Sequence, residues 1–228
     1  MTATTRLQIA IPGSASVSAL LCLPAQPDAV YVFAHGAGAG MSHRFMEGLS
    51  AALAGWGIAT LRFQFPFMER GSKRPDVPPV AHAAIRAAVA EAAHRLPGLP
   101  LFAGGKSFGG RMTSQAQALE PLPGVLGLAF VGFPLHPAGK PGTSRAEHLQ
   151  DVAVPMLFLQ GTRDLLAKIG LVQRTVEQLA AFATLHTIPD ADHGFHVPVR
   201  SGRTDAQVVE ELAETLARWM SEAAAAPR

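Results

Sequence analysis

The chain has a single cysteine, Cys22, in 228 residues. That excludes an internal disulfide framework and any metal site built from several cysteines. Charge is scarce too: Asp, Glu, Lys and Arg make up 16% of the residues, against about 25% in an average soluble domain. Combined with 48% hydrophobic residues, this excludes a disordered chain. Neither sign dominates. Lys and Arg total 19, Asp and Glu 17, and the net charge is +2, which is no electrostatic footprint for nucleic acid. No stretch approaches the roughly 18 consecutive apolar residues of a spanning helix, so no membrane partner is expected. Val17–Leu23 has the look of a short secretory-signal core. The segment before it, however, carries one positive charge, Arg6, and already contains the strand-like Leu7–Ile11. A signal peptide needs a more basic start, and the expectation is a cytoplasmic protein in a reducing compartment.

What the chain does have is an alternation of short apolar runs and longer helical patterns. Runs at Ala29–Ala34, Ile58–Phe63, Pro100–Gly104, Val125–Val131, Pro155–Gln160 and Thr184–Ile188 are apolar on both faces, as parallel strands covered by helices on each side must be. Helical patterns occupy Arg44–Leu53, Val80–Leu96, Phe108–Leu119 and Leu165–Leu179. A last helix starts at a capping-box pair, Thr204 and Gln207, and carries Val208, Leu212, Leu216 and Trp219 at helical spacing. Leu7–Ile11 and Val17–Leu23, joined by Pro12-Gly13-Ser14, read as a hairpin at one sheet edge. The pattern predicts a doubly wound α/β sheet. It is one domain over residues 1–228, and a chain this long needs no staple to hold its core. Gln64–Pro79 and Pro134–Asp151 are rich in Pro and Gly and follow strand ends, where such folds place ligand-facing loops.

The sharpest signal is Gly105-Lys106-Ser107-Phe108-Gly109, between a strand and a helix. This is G-x-S-x-G in the setting that the nucleophile elbow requires. A serine on a tight, strained turn projects its hydroxyl above the sheet. The flanking glycines keep strand and helix from colliding, and the helix N-terminus offers N–H groups to a developing oxyanion. A serine needs a base to become a nucleophile. Asp164 follows just past the strand ending at Gln160, and His193 just past the strand ending at Ile188. The chain order Ser…Asp…His is that of an α/β-hydrolase rather than of chymotrypsin or subtilisin. Asp164 would also serve as a turn or N-cap residue for a helix starting at Leu165. His196 and His186 compete with His193; Asp190 and Asp192 read as loop-forming residues. Small residues at His35-Gly36-Ala37-Gly38-Ala39-Gly40 let backbone amides approach a substrate. The Ala37 amide, or Gly38 in its place, would pair with that of Phe108 as the oxyanion hole, and His35 would brace the loop.

Taken together, His35-Gly36, Gly105–Gly109, Gly161-Thr162-Arg163-Asp164 and Asp192-His193-Gly194 resemble the α/β-hydrolase superfamily. The chain is similar to its small, nearly capless, dienelactone-hydrolase-like members. Arg62-Phe63-Gln64-Phe65-Pro66-Phe67 and Phe133-Pro134-Leu135-His136-Pro137 resemble a narrower branch, which includes a testis-expressed hydrolase-like protein and bacterial proteins of undefined substrate. The resemblance spans the chain from about Leu7 to the last helix. It implies a three-layer fold with a mostly parallel sheet, and no large cap domain. Dienelactone hydrolases carry a cysteine where this chain has Ser107, so their substrate does not transfer with the fold.

Two other motifs fit less well. Gly105-Lys106-Ser107 would end a phosphate-binding P-loop, but that pattern needs a glycine where Pro100 stands. Gly36-x-Gly38-x-Gly40 falls one residue short of a dinucleotide fingerprint and leaves Ser107, Asp164 and His193 idle. The expected function is therefore hydrolysis of a small-molecule carboxylic ester or thioester, with no metal and no organic cofactor. Phe67, Met68, Phe133 and His136 are candidate pocket walls, ordinary loop packing being their alternative. A non-catalytic scaffold with a hydrolase fold is the competing function; three triad residue types in order argue against it.

Overall fold

The computed structural model describes residues 2–226. Eight strands form one sheet: β1 (Ala3–Ile9), β2 (Val17–Leu23), β3 (Ala29–Ala34), β4 (Ile58–Phe63), β5 (Leu101–Lys106), β6 (Val125–Val131), β7 (Met156–Gly161) and β8 (Ala183–Ile188). Their order across the sheet is β1-β2-β4-β3-β5-β6-β7-β8. The first two strands pair antiparallel as a hairpin at the edge, and β2 pairs antiparallel with β4. Every pairing from β4 onward is parallel, which brings the carboxyl ends of β3 to β8 to one rim.

Alternation along each strand feeds two cores. On β3, Val30, Val32 and Ala34 face one core, and Ala29, Tyr31 and Phe33 face the other. The first core is closed by α3 (Pro78–Arg95), α4 (Phe108–Leu119) and α5 (Ile169–Leu179). The second is closed by α1 (Arg44–Gly55) and α6 (Asp205–Ala225). Burial on both faces is what the unbroken apolar runs demanded. Strand β8 departs from it: as the outer edge strand it is mostly half-exposed.

Several element ends differ from their sequence expectation. Strand β5 extends to Lys106, which puts a lysine at the rim beside the elbow. Helix α5 starts at Ile169 rather than Leu165, because the intervening residues are held in a turn. Asp164 Oδ1 accepts from the Leu166 amide at 2.7 Å, and the Leu166 carbonyl accepts from the His136 amide at 2.9 Å. Pro78 opens α3 two residues early, at the position where a missing N–H costs nothing. The Gln64–Pro79 stretch also holds a short helix, α2 (Pro66–Glu69), again opened by a proline. Helix α6 has the full reciprocal capping box of Thr204 and Gln207.

Candidate active site

Ser107 sits between the end of β5 and the start of α4 at φ 50° and ψ −115°. A non-glycine residue in the left-handed half of φ is strained, and the surroundings must hold it there. They do so by close packing. A Cβ at Gly105 would collide with the Ala34 carbonyl oxygen, and one at Gly109 would meet the Ala34 and His35 carbonyls. The motif glycines are thus required by contact between the turn and β3. The Ser107 amide donates to the Val131 carbonyl at 3.2 Å, tying the turn to β6 as well.

Three side chains from three strand ends converge. Ser107 Oγ lies 2.8 Å from His193 Nε2, and His193 Nδ1 lies 2.6 Å from Asp164 Oδ2. An ionised carboxylate only accepts, so Nδ1 carries the ring proton and Nε2 presents a lone pair to the serine hydroxyl. The Asp164 side chain is fully buried, and its charge is met by two further donors. Gln160 Nε2 reaches Oδ2 at 2.6 Å, and the Leu166 amide reaches Oδ1. Buried charge is tolerable when hydrogen-bonded in this way.

The other candidates from the sequence lie elsewhere. Asp192 Oδ1 accepts from the Gly194 and His196 amides at 2.7 and 3.0 Å, shaping the loop that carries His193. Asp190 occupies a left-handed turn at φ 59°, its amide donating to Thr162 Oγ1. His196 pairs with Asp205, and His186 with Glu211. Neither is bonded to Ser107, whose histidine partner is His193.

His35 braces the loop after β3. Its Nδ1 lies 2.7 Å from the Gly36 carbonyl, and its Nε2 accepts from the Phe65 amide at 3.0 Å. That pair of partners fits only the neutral ring, and burial lowers its pKa to about 4. Farther along the loop, both backbone groups of Met41 are held by β4 and the residue just beyond it. Gln64 Oε1 accepts from its amide, and Arg62 donates to its carbonyl, each at 2.8 Å. Ala37 borders the cavity beside Ser107. Phe108, as the first residue of α4, has an amide without an intrahelical acceptor.

The cavity over Ser107 measures about 340 Å³ and is lined by Gly36–Ala39, His43, Phe45, Met46, Lys106, Leu166, His193 and Gly194. It is small but within the range of small-molecule sites. The four wall candidates do not line it. Phe67 is fully buried, packed on His35, Phe65 and Phe108. Phe133 packs on Phe130 and Phe158. His136 braces the turn after β7 by accepting from the Lys168 amide, and Met68 rests against the core. Large aromatic rings next to an apolar core gain more by joining it than by lining a wet cleft. The walls come instead from the start of α1 and from Leu166.

Sequence reading missed Gln160, Lys106, Arg62 and Gln64 as parts of this region. The signal was available for the first three: each is a polar residue near the carboxyl end of an otherwise apolar buried strand. Among the described residues, no group of three His, Cys, Asp or Glu side chains is arranged to hold a metal ion. No helix among them is long and apolar enough to cross a membrane.

Known proteins share this arrangement of the chain. A dienelactone hydrolase from Anabaena variabilis superposes with a TM-score of 0.78 at 21% identity, over 97% of this chain and 98% of that one. A serine hydrolase homologue from Coxiella burnetii gives 0.73 at 22% identity, over 94% and 96% of the two chains. A lidless serine hydrolase from Xanthomonas campestris gives 0.73 at 23% identity, over 95% and 94%. Identities this low speak for a common fold. The family described as alpha/beta hydrolase domain matches residues 27–221. The match takes in β3 through most of α6, with the elbow and both loops that face it, and the chain belongs to that family.

Proposed function

We propose that this hydrolase cleaves a small carboxylic ester or thioester through a serine acyl-enzyme, with Ser107, His193 and Asp164 as its triad. The observation that carries the reading is the continuous hydrogen-bonded path from Asp164 through His193 to Ser107, opening into a cavity. In acylation, His193 Nε2 takes the Ser107 proton as Oγ bonds to the acyl carbon. Asp164 keeps the ring in the required tautomer and stabilises the imidazolium that forms. The imidazolium then returns the proton to the departing alcohol or thiol. A water molecule, deprotonated by the same nitrogen, releases the acid and restores the serine.

The amides of Ala37 and Phe108 are the oxyanion donors in this scheme, since one borders the cavity and the other starts the helix behind the nucleophile. The acyl group would lie in the cleft bordered by Phe45, Met46 and Leu166, whose modest volume favours short or protruding acyl chains. The names of the similar structures, a dienelactone hydrolase and serine hydrolases, agree with this class, and Ser107 favours simple esters over dienelactones. Nothing in the chemistry calls for a metal or an organic cofactor. Labelling with a fluorophosphonate probe, then an ester panel of increasing acyl length, tests the reading. Ser107-dependent labelling and a preference for short chains are expected, and turnover that survives Ser107→Ala overturns it.

A further inference from the structure

Lys106 is the unassigned side chain nearest the chemistry. It is the last residue of β5 and precedes Ser107. Its side chain crosses the end of β6 to reach the loop after β8, where Nζ donates to the His193 carbonyl at 2.5 Å. Two aromatic faces enclose the ammonium: Phe195 at 5.2 Å and Phe45 at 5.9 Å from their centroids. The route passes Gly132, at φ 71°, where a Cβ would stand 3.0 Å from Nζ. No carboxylate among the described residues is bonded to it. A surface lysine would keep its head in water; this half-buried one turns its head inward onto a main-chain oxygen.

We propose that Lys106 is a positioning residue, a cationic strut that fixes the base-bearing loop against the strand carrying the nucleophile. This rests on the serine-hydrolase reading. The consequence is both geometric and electrostatic. The strut sets where His193 stands relative to Ser107, and misplacement on the order of 1 Å is enough to cost about 100-fold in rate. The ammonium also lies near an imidazole that must become cationic in acylation. The groups facing that imidazole are Asp164 and Arg163 from the loop after β7, Asp192 from its own loop, and Lys106 from β5. Lys106 thereby offsets part of the attraction that the acidic neighbours exert on a charged ring. Loss of hydration lowers the pKa of the lysine itself to about 8, so it stays mostly charged at neutral pH.

The test compares wild type with Lys106→Met, which keeps the stem and deletes donor and charge, and Lys106→Gln, a neutral donor. In Lys106→Met we expect kcat on a short-chain ester to fall about 10- to 100-fold with KM nearly unchanged. Lys106→Gln, which can still donate toward the His193 carbonyl, should recover part of the lost kcat, a rescue that looser packing alone would not give. Deuterium exchange of the amides around 190–197 should quicken in Lys106→Met. Unchanged kcat in folded Lys106→Met, or no recovery in folded Lys106→Gln, overturns the proposal. If wild type proves to have no esterase activity and no probe labelling, the serine-hydrolase reading fails by itself. Exchange then decides the strut alone: faster exchange sustains it, and unchanged exchange overturns it.

Discussion

Helix α4 carries two serines bonded to histidines, and the two make an instructive pair. Ser107 caps its start and lies 2.8 Å from His193 Nε2; Ser114, two turns on, lies 2.8 Å from His148 Nε2. By distance they are equivalent. Chemically they are not. Ser114 is fully buried in the helix and also gives its hydroxyl to the Arg111 carbonyl at 2.9 Å. A hydroxyl has one proton, so with that proton committed, His148 must donate and cannot act as its base. Burial, then the nearby Arg111, lowers the His148 pKa to about 4. His193 has the buried Asp164 on its other nitrogen, and Ser107 opens to a cavity. A short Ser–His contact is therefore weak support for a nucleophile. The turn, the carboxylate and the access separate the two.

The largest expected difference comes from removing each hydroxyl. Ser107→Ala should abolish ester turnover and probe labelling with the melting temperature within a few degrees, whereas Ser114→Ala should retain most of its turnover. Equal losses in the two would erase the distinction. Next is the carboxylate. Asp164→Asn should cost on the order of 10⁴ in kcat through the wrong ring tautomer, measured under saturating ester. Asp192→Asn should cost far less, because it removes only loop-shaping bonds, and the reverse ranking would mean the wrong acid has been chosen.

The two histidines should differ in what they govern. For His193, kcat/KM should rise with pH through one ionisation and level off, since the base must be neutral. His148→Gln should leave that profile in place, and a profile that vanished with it would move the base to the second pair. Stability should rise with pH in the same direction, but through different groups. His35 and His148 have folded pKa values of about 4, below the unfolded value of about 6.5. The unfolded chain binds more protons between those values, so their stabilising contribution is complete above about pH 6.5 and is lost as pH falls toward 4. Each contributes a slope of at most about 1.4 kcal/mol per pH unit. Denaturant melts at pH 7, 6 and 5 should show the loss, and His148→Gln should reduce its steepness. The smallest effect expected is that of EDTA on ester turnover, which is none; a chelator-sensitive rate would contradict the serine mechanism.

Local residue pattern was enough for the strand–helix alternation, the elbow, and the order of Ser107, Asp164 and His193, because each depends on residues close in sequence. Unbroken apolar runs announce buried parallel strands, and Gly105 and Gly109 announce a turn with no room for side chains. The capping box of α6 is likewise local. What meets what depends on packing between distant segments. That packing sent Phe67 and Phe133 into the core rather than the cleft, since whether an aromatic ring faces solvent depends on which elements fold over it. It delayed α5, because the turn bonding Leu166 and His136 joins distant segments. The same long-range geometry laid Lys106 across β6 to the His193 carbonyl. Sequence can mark a lysine at the end of an apolar strand as unusual; only the packing of three strand ends says what it holds.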